Sequence, residues 1–187
     1  MQDQDYLEWL CLPSNLYKKI EEDVVRLLVE QNVTSYPVDP MAIAVSLGYE
    51  LIPFSKINKK AMEILNPKDA DGINYYDPIK EKFQIYYKSD CIEERLRFTI
   101  GHEIGHIRMG HKCESDLARR IADYYAAYLL APTPWIKQAG CEDYKDIAKK
   151  FYVSDKCASI CFTRYANWCR NLFSLRRYEK TLIALLQ

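Results

Sequence analysis

Apolar residues recur at helical spacing from Leu16 onward. Leu16, Ile20, Val24, Leu27 and Leu28 form one stripe, and Lys18, Lys19, Glu21, Glu22 and Arg26 fill the opposite face. This pattern predicts an amphipathic helix over Ser14 to Gln31, with Ser14 as a candidate cap. After a break at Asn32 to Pro37, Asp39 and Pro40 open a second helix that Gly48 should stop. Tyr49 to Pro53 reads as a short strand. Residues Ser55 to Asp71 carry no clear period, apart from a helical turn at Ala61 to Leu65. Asp71-Gly72 signals a turn, Ile73 to Tyr76 a strand, Asp77-Pro78 another turn, and Lys82 to Tyr87 the partner strand of a meander.

The strongest helical signals follow. Leu96, Phe98, Ile100, Ile104, Ile107 and Met109 mark a buried helix that Ser89 or Asp90 could cap. Ser115 to Ala131 predicts a second helix, which ends at Pro132-Thr133-Pro134 because proline lacks the amide hydrogen a helix needs. Asp143 to Phe151, Tyr152 to Ser154 and Asp155 to Trp168 read as helix, turn and helix. Thr181 to Leu186 closes the chain as helix or strand. Repeats, low-complexity segments and flexible linkers are not evident in this pattern.

Composition narrows the class without naming a function. The 187 residues suffice for one sizeable core with a small appendage, and 49% hydrophobic with 28% charged residues is ordinary for a globular chain. A formal net charge of zero argues against a strongly electrostatic attachment to nucleic acid or to an anionic membrane. The 15 tyrosines suit amphipathic packing or a protein-binding surface. Cys11, Cys91, Cys113, Cys141, Cys157, Cys161 and Cys169 form no regular framework, and Cys157 and Cys161 share a helical spacing suited to packing. An acidic, polar start and short apolar runs give no sign of a secretory leader or a membrane span, so the expected location is the cytoplasm.

The chemistry concentrates in Arg97-Phe98-Thr99-Ile100-Gly101-His102-Glu103-Ile104-Gly105-His106, which contains H-E-x-x-H. One helical turn separates His102 from His106, so both imidazoles leave the same face and can hold Zn²⁺. Glu103 lies beside them, where a carboxylate can take a proton from water. The alternative is a histidine pair satisfied inside a core. Gly101 and Gly105 each weaken a helix by roughly 1 kcal/mol against alanine, which makes sense if another backbone or a substrate comes close. The third histidine, His111, lies five residues beyond His106 and misses the spacing of a three-histidine motif by one.

Four segments together resemble the ImmA/IrrE family of metallopeptidases. They are Tyr36-Pro37-Val38-Asp39-Pro40 with Ile43-Ala44 and Leu47-Gly48, the short meander, the H-E-x-x-H helix, and Ala122-Asp123-Tyr124-Tyr125-Ala126-Ala127-Tyr128-Leu129-Leu130-Ala131-Pro132. The resemblance implies an α+β, gluzincin-like minimal metallopeptidase fold, with a small antiparallel sheet packed on the active-site helix. It divides the chain into a metallopeptidase-like domain over 1–135 and a helical, helix-turn-helix-like subdomain over 136–187. It also implies a zinc-dependent endopeptidase whose protein substrate is a helix-turn-helix repressor, acting in mobile-element or stress regulation.

One position departs from the family pattern. Where the family places its third-ligand glutamate, this chain has Arg119, a permanent cation that cannot ligate zinc. Asp123, one turn further along the same face, is the candidate third ligand, or else a carboxylate that orients a ligand histidine. A plain surface or salt-bridged aspartate is the bland alternative, and Glu114, Asp116 and His111 are weaker candidates. The expected site is therefore His102, His106 and Asp123 on zinc with Glu103 as general base. Two rivals stand beside it. One is a catalytically silent protein-binding module of the same fold. The other is a DNA-binding regulator that uses Lys149, Lys150, Arg164 and Arg170 in the C-terminal segment, which the neutral charge disfavours.

Overall fold

The computed structural model describes residues 12–65, 70–113 and 115–187. Its helices are α1 (Ser14–Glu30), α2 (Pro40–Ser46), α3 (Lys59–Leu65), α4 (Glu93–Met109), α5 (Asp116–Leu130), α6 (Thr133–Gln138), α7 (Tyr144–Phe151), α8 (Asp155–Arg170) and α9 (Arg177–Leu185). The strands are β1 (Glu50–Pro53), β2 (Gly72–Asp77) and β3 (Lys82–Tyr87). The architecture is α+β, mostly helical, with one three-stranded sheet.

The sheet corrects one expectation. Its order is β1-β3-β2: β2 and β3 form the antiparallel hairpin, but β1 lies parallel to β3, so the sheet is mixed. The reason lies in the connection. Between β1 and β2 the chain makes a 3₁₀ turn at Phe54–Lys56 and then α3, which lets β2 reach the far side of β3. Periodicity gives only the helical turn at Ala61 to Leu65 in that connection, which falls within α3, and a parallel pair needs a crossover where an antiparallel pair needs only a turn.

Several caps also differ from expectation. Asp39 does cap α2, accepting from the amides of Met41 and Ala42, and Gly48 takes φ +80° just after it. Ser115, Asp143 and Ser154 cap α5, α7 and α8. Ser14, however, is the first residue of α1 rather than its cap, and Ile92 occupies the cap position of α4 in place of Ser89 or Asp90. The first turn of α4 carries Glu93 and Glu94 instead, whose charges favour a helix N-terminus. The final stretch is helical.

The core gathers around α4 and α5. Ile100 and Ile104 of α4 are fully buried, as are Tyr125, Leu129 and Leu130 of α5, against Ile20, Val24, Leu27 and Leu28 of α1. The two central helices come very close. A side-chain carbon at Gly105 would lie 2.8 Å from Tyr125 Cβ and 3.3 Å from Ala122 Cα, so only glycine permits this crossing. The α-helical cost of Gly105 is thus offset by the approach that sets the spacing of α4 and α5.

Charged groups inside α1 hold it to this pair. Arg108 donates from Nε and Nη2 to Asp23 at 2.8 and 2.9 Å, and Tyr125 Oη donates to Asp23 at 3.0 Å. Glu21, which the pattern assigned to the polar face, turns toward α5 and α9, accepting from Tyr124 Oη and Tyr178 Oη at 2.5 Å each. Burial pushes the Glu21 carboxyl up, partly countered by those hydroxyl donors. Asp23→Ala is expected to lower stability by roughly 3–5 kcal/mol, because it strands a largely buried guanidinium. Urea unfolding measures this; a loss near zero would mean that water reaches Arg108.

The C-terminal helices dock on the same core. Trp135 Nε1 donates to the Leu182 carbonyl at 2.8 Å, and Arg97 of α4 donates to the carbonyls of Val38 and Phe151 at 2.8 and 3.3 Å. Cys91, Cys113, Cys141, Cys157, Cys161 and Cys169 are free thiols, while Cys11 lies outside the described residues. Among the described residues no helix is long and apolar enough to cross a membrane.

Candidate metal centre

Both motif histidines leave α4 toward α5. His102 Nε2 and His106 Nε2 meet at 3.0 Å. Two imidazoles on one tetrahedral zinc ion have nitrogens about 3.3 Å apart, given Zn–N bonds of about 2.0–2.1 Å. The pair therefore converges on one point with nearly the separation such an ion requires. His106 is 4% exposed. Burial first, then the neighbouring His102, His111 and Arg119, pull its pKa down to about 3. It is accordingly a neutral imidazole at pH 7, the form that ligates metal.

Asp123 comes from α5 and stands behind the His102 ring. Its Oδ1 lies 2.8 Å from His102 Nδ1, the nitrogen opposite the one that meets His106. As an acceptor it keeps the proton on Nδ1 and the lone pair of His102 on Nε2. Asp123 thus has the imidazole of His102 as its partner. His111 lies on the far side of His106, with its Nδ1 3.0 Å from His106 Nδ1. Asp116 is exposed in the first turn of α5, and Glu114 lies outside the described residues. Arg119 is exposed at the surface yet close enough to bear on His106 electrostatically.

Zinc fits this donor chemistry in its histidine half. Two neutral nitrogens converge and a carboxylate anchors one ring. Among the described residues, however, no group of three His, Cys, Asp or Glu side chains is arranged around a common point.

Glu103 is 5% exposed and points toward the sheet. Asn74 of β2 donates from Nδ2 to Glu103 Oε2 at 2.7 Å. Pattern reasoning passed over Asn74. The signal was faint but present: Gly72 and Asn74 are the small and polar alternate positions of a strand that otherwise reads Ile73, Tyr75 and Tyr76 before its terminal Asp77.

The C-terminal cations have other engagements. Lys150 Nζ donates to the Ala139 carbonyl at 2.7 Å, and the Arg164 guanidinium lies 4.3 Å from the centre of the Tyr124 ring. Lys149 and Arg170 are exposed. Half of the basic set that the helix-turn-helix reading relies on is thus spent inside the fold.

Residues 86–166 match the family model Peptidase family M48. Over this stretch the chain resembles a zinc metallopeptidase. The matched residues run from the end of β3 into α8 and include His102, Glu103, His106 and Asp123, though they are under half of the chain. Among solved structures, a Mycobacterium tuberculosis transcriptional regulator is similar at 13% identity and a TM-score of 0.46, over 78% of this chain and 46% of that one. The chain therefore spans less than half the length of that regulator. A comparison with curated proteins yields no match.

Proposed function

We propose that the protein is a zinc-dependent endopeptidase of the ImmA/IrrE type that cuts a protein substrate, a helix-turn-helix repressor, in mobile-element or stress regulation. One observation carries the peptidase reading. The two imidazoles of H-E-x-x-H meet through Nε2 at 3.0 Å, with Glu103 one residue from the first of them, inside the stretch that resembles Peptidase family M48.

His102 and His106 would hold the ion, and Asp123 would orient His102 from behind rather than ligate. Zinc, when bound, supplies Lewis acidity and lowers the pKa of water. Glu103 accepts a proton from the water whose oxygen bonds to the scissile carbonyl carbon. It then gives that proton to the amide nitrogen as the C–N bond breaks, so a carboxylate and an amine leave. Among the described residues β2 is an edge strand of the sheet, and it packs against α4, which suits an extended peptide pairing with the backbone groups of that strand.

A second reading has its own support. Arg119 brings positive charge to His106, and a third protein donor is missing among the described residues. Both favour a silent module that binds its partner without cutting it. The DNA-binding alternative has less behind it, since Lys150 and Arg164 are engaged internally. Metal content tests the leading reading. Purified wild type is expected to carry zinc, and His106→Ala to lose most of it. Equal zinc in the two proteins by elemental analysis would overturn the assignment.

A further inference from the structure

Gly72 and Asn74 project from the same face of β2, two residues apart, and that face meets the helix of the H-E-x-x-H motif. Asn74 Nδ2 lies 2.7 Å from Glu103 Oε2. An amide nitrogen only donates, so the oxygen it meets is held as an acceptor. The other oxygen, Oε1, lies over Gly72. A side-chain carbon at that position would come within 3.1 Å of Glu103 Oε1 and Cγ, and within 2.6 Å of Thr99 Cγ2. Any residue larger than glycine would push Thr99 or Glu103 out of place.

The strand is itself fixed at both points. Gly72 is in register with Tyr87 and Asn74 with Ile85, and Ile85 is fully buried. The donor is therefore mounted on a strand anchored in the core, whereas Glu103 is a long side chain with several rotamers to choose from. A long carboxylate in a buried setting needs a donor to select one of them.

We propose that Gly72 and Asn74 form the cradle that positions Glu103: Asn74 anchors one carboxylate oxygen, and Gly72 leaves the room the carboxylate occupies. Asn74 is a positioning residue, acting through Glu103. Its meaning for catalysis rests on the peptidase reading above, but the cradle is a property of the chain without metal or substrate.

The test has two arms. In the first, the metal-free full-length chain is labelled with ¹³C-glutamate, and the Glu103 carboxyl resonance is assigned by its absence in Glu103→Gln. Asn74→Leu, which removes the donor, and the isosteric Asn74→Asp, which sets a second carboxyl group against Glu103, are expected to move that resonance by more than its linewidth. Gly72→Ala should move it as well. A wild-type position in both Asn74 variants overturns the proposal. Using two variants of similar size keeps the result decisive if one of them fails to fold.

In the second arm, the zinc-loaded proteins are assayed on whichever peptide of a quenched fluorescent library the wild type cleaves fastest. Both Asn74 variants are expected to lower kcat by roughly 10- to 100-fold, the scale of a misplaced catalytic group, with KM unchanged. A shifted resonance with unchanged kcat overturns the positioning role. A wild type that cleaves nothing overturns the peptidase reading and the catalytic half of the proposal with it, while the resonance still decides the cradle.

Discussion

Glu103→Gln is expected to fold, to keep its zinc and to lose cleavage by about two to four orders of magnitude, the usual contribution of a positioned acid–base group. The substitution changes very little else. Glutamine has the same length, and its amide oxygen can still accept from Asn74 Nδ2, which stands 2.7 Å from the carboxylate now. Neither His102 nor His106 depends on Glu103 for its convergent Nε2 geometry. What disappears is the capacity to take a proton from water. The assay is cleavage of the cognate protein, with zinc content and thermal unfolding measured on the same samples. If the variant cuts at nearly the wild-type rate, another group is the base. If neither protein cuts while both hold zinc, the silent module becomes the better reading.

How much of this was legible in the sequence differs by residue. The pairing of His102 with His106 follows from helical spacing alone, because four residues on an α-helix is a local relation. The helix that presents Asp123 was also readable, since Ala122 to Pro132 has a strong period and a proline stop. Which of two roles Asp123 takes was not. That depends on how α5 rotates against α4, and the rotation is set by the close approach at Gly105. Long-range contacts left fainter traces still. Asn74 and Glu103 are separated by 29 residues, and Asp23 and Arg108 by 85. The charges of α1 looked solvated because their partners, Tyr124, Tyr125, Tyr178 and Arg108, come from distant helices. The mixed sheet escaped for a related reason: strand order is decided by the path of the connection, and 66–69 of that connection lie outside the described residues.

Arg119 and Asp123 offer the sharpest test of the metal centre itself. Asp123→Ala is expected to weaken zinc binding by about 10- to 100-fold, the usual cost of removing a carboxylate that orients a ligand histidine. The ring of His102 would then lose the acceptor on Nδ1 that keeps its Nε2 lone pair turned toward His106. Arg119→Glu should act in the opposite direction. It removes a cation that bears on His106 and adds an anionic oxygen on the helix facing the histidines. A gain of at least tenfold, or about 1.4 kcal/mol, is expected. Asp116→Ala, an exposed substitution in the first turn of the same helix, should leave affinity where it is and serves as the control. Isothermal titration with zinc on metal-free protein measures all three. The pattern of results separates the rival sites. A large loss in Asp123→Ala with a gain in Arg119→Glu supports a histidine pair that depends on its orienting carboxylate. No loss in Asp123→Ala alongside a strong gain in Arg119→Glu means that the histidine pair gets nothing from the carboxylate behind it and that the native site is held weak by Arg119. A binding module that has given up the chemistry then explains Arg119 better than an enzyme does.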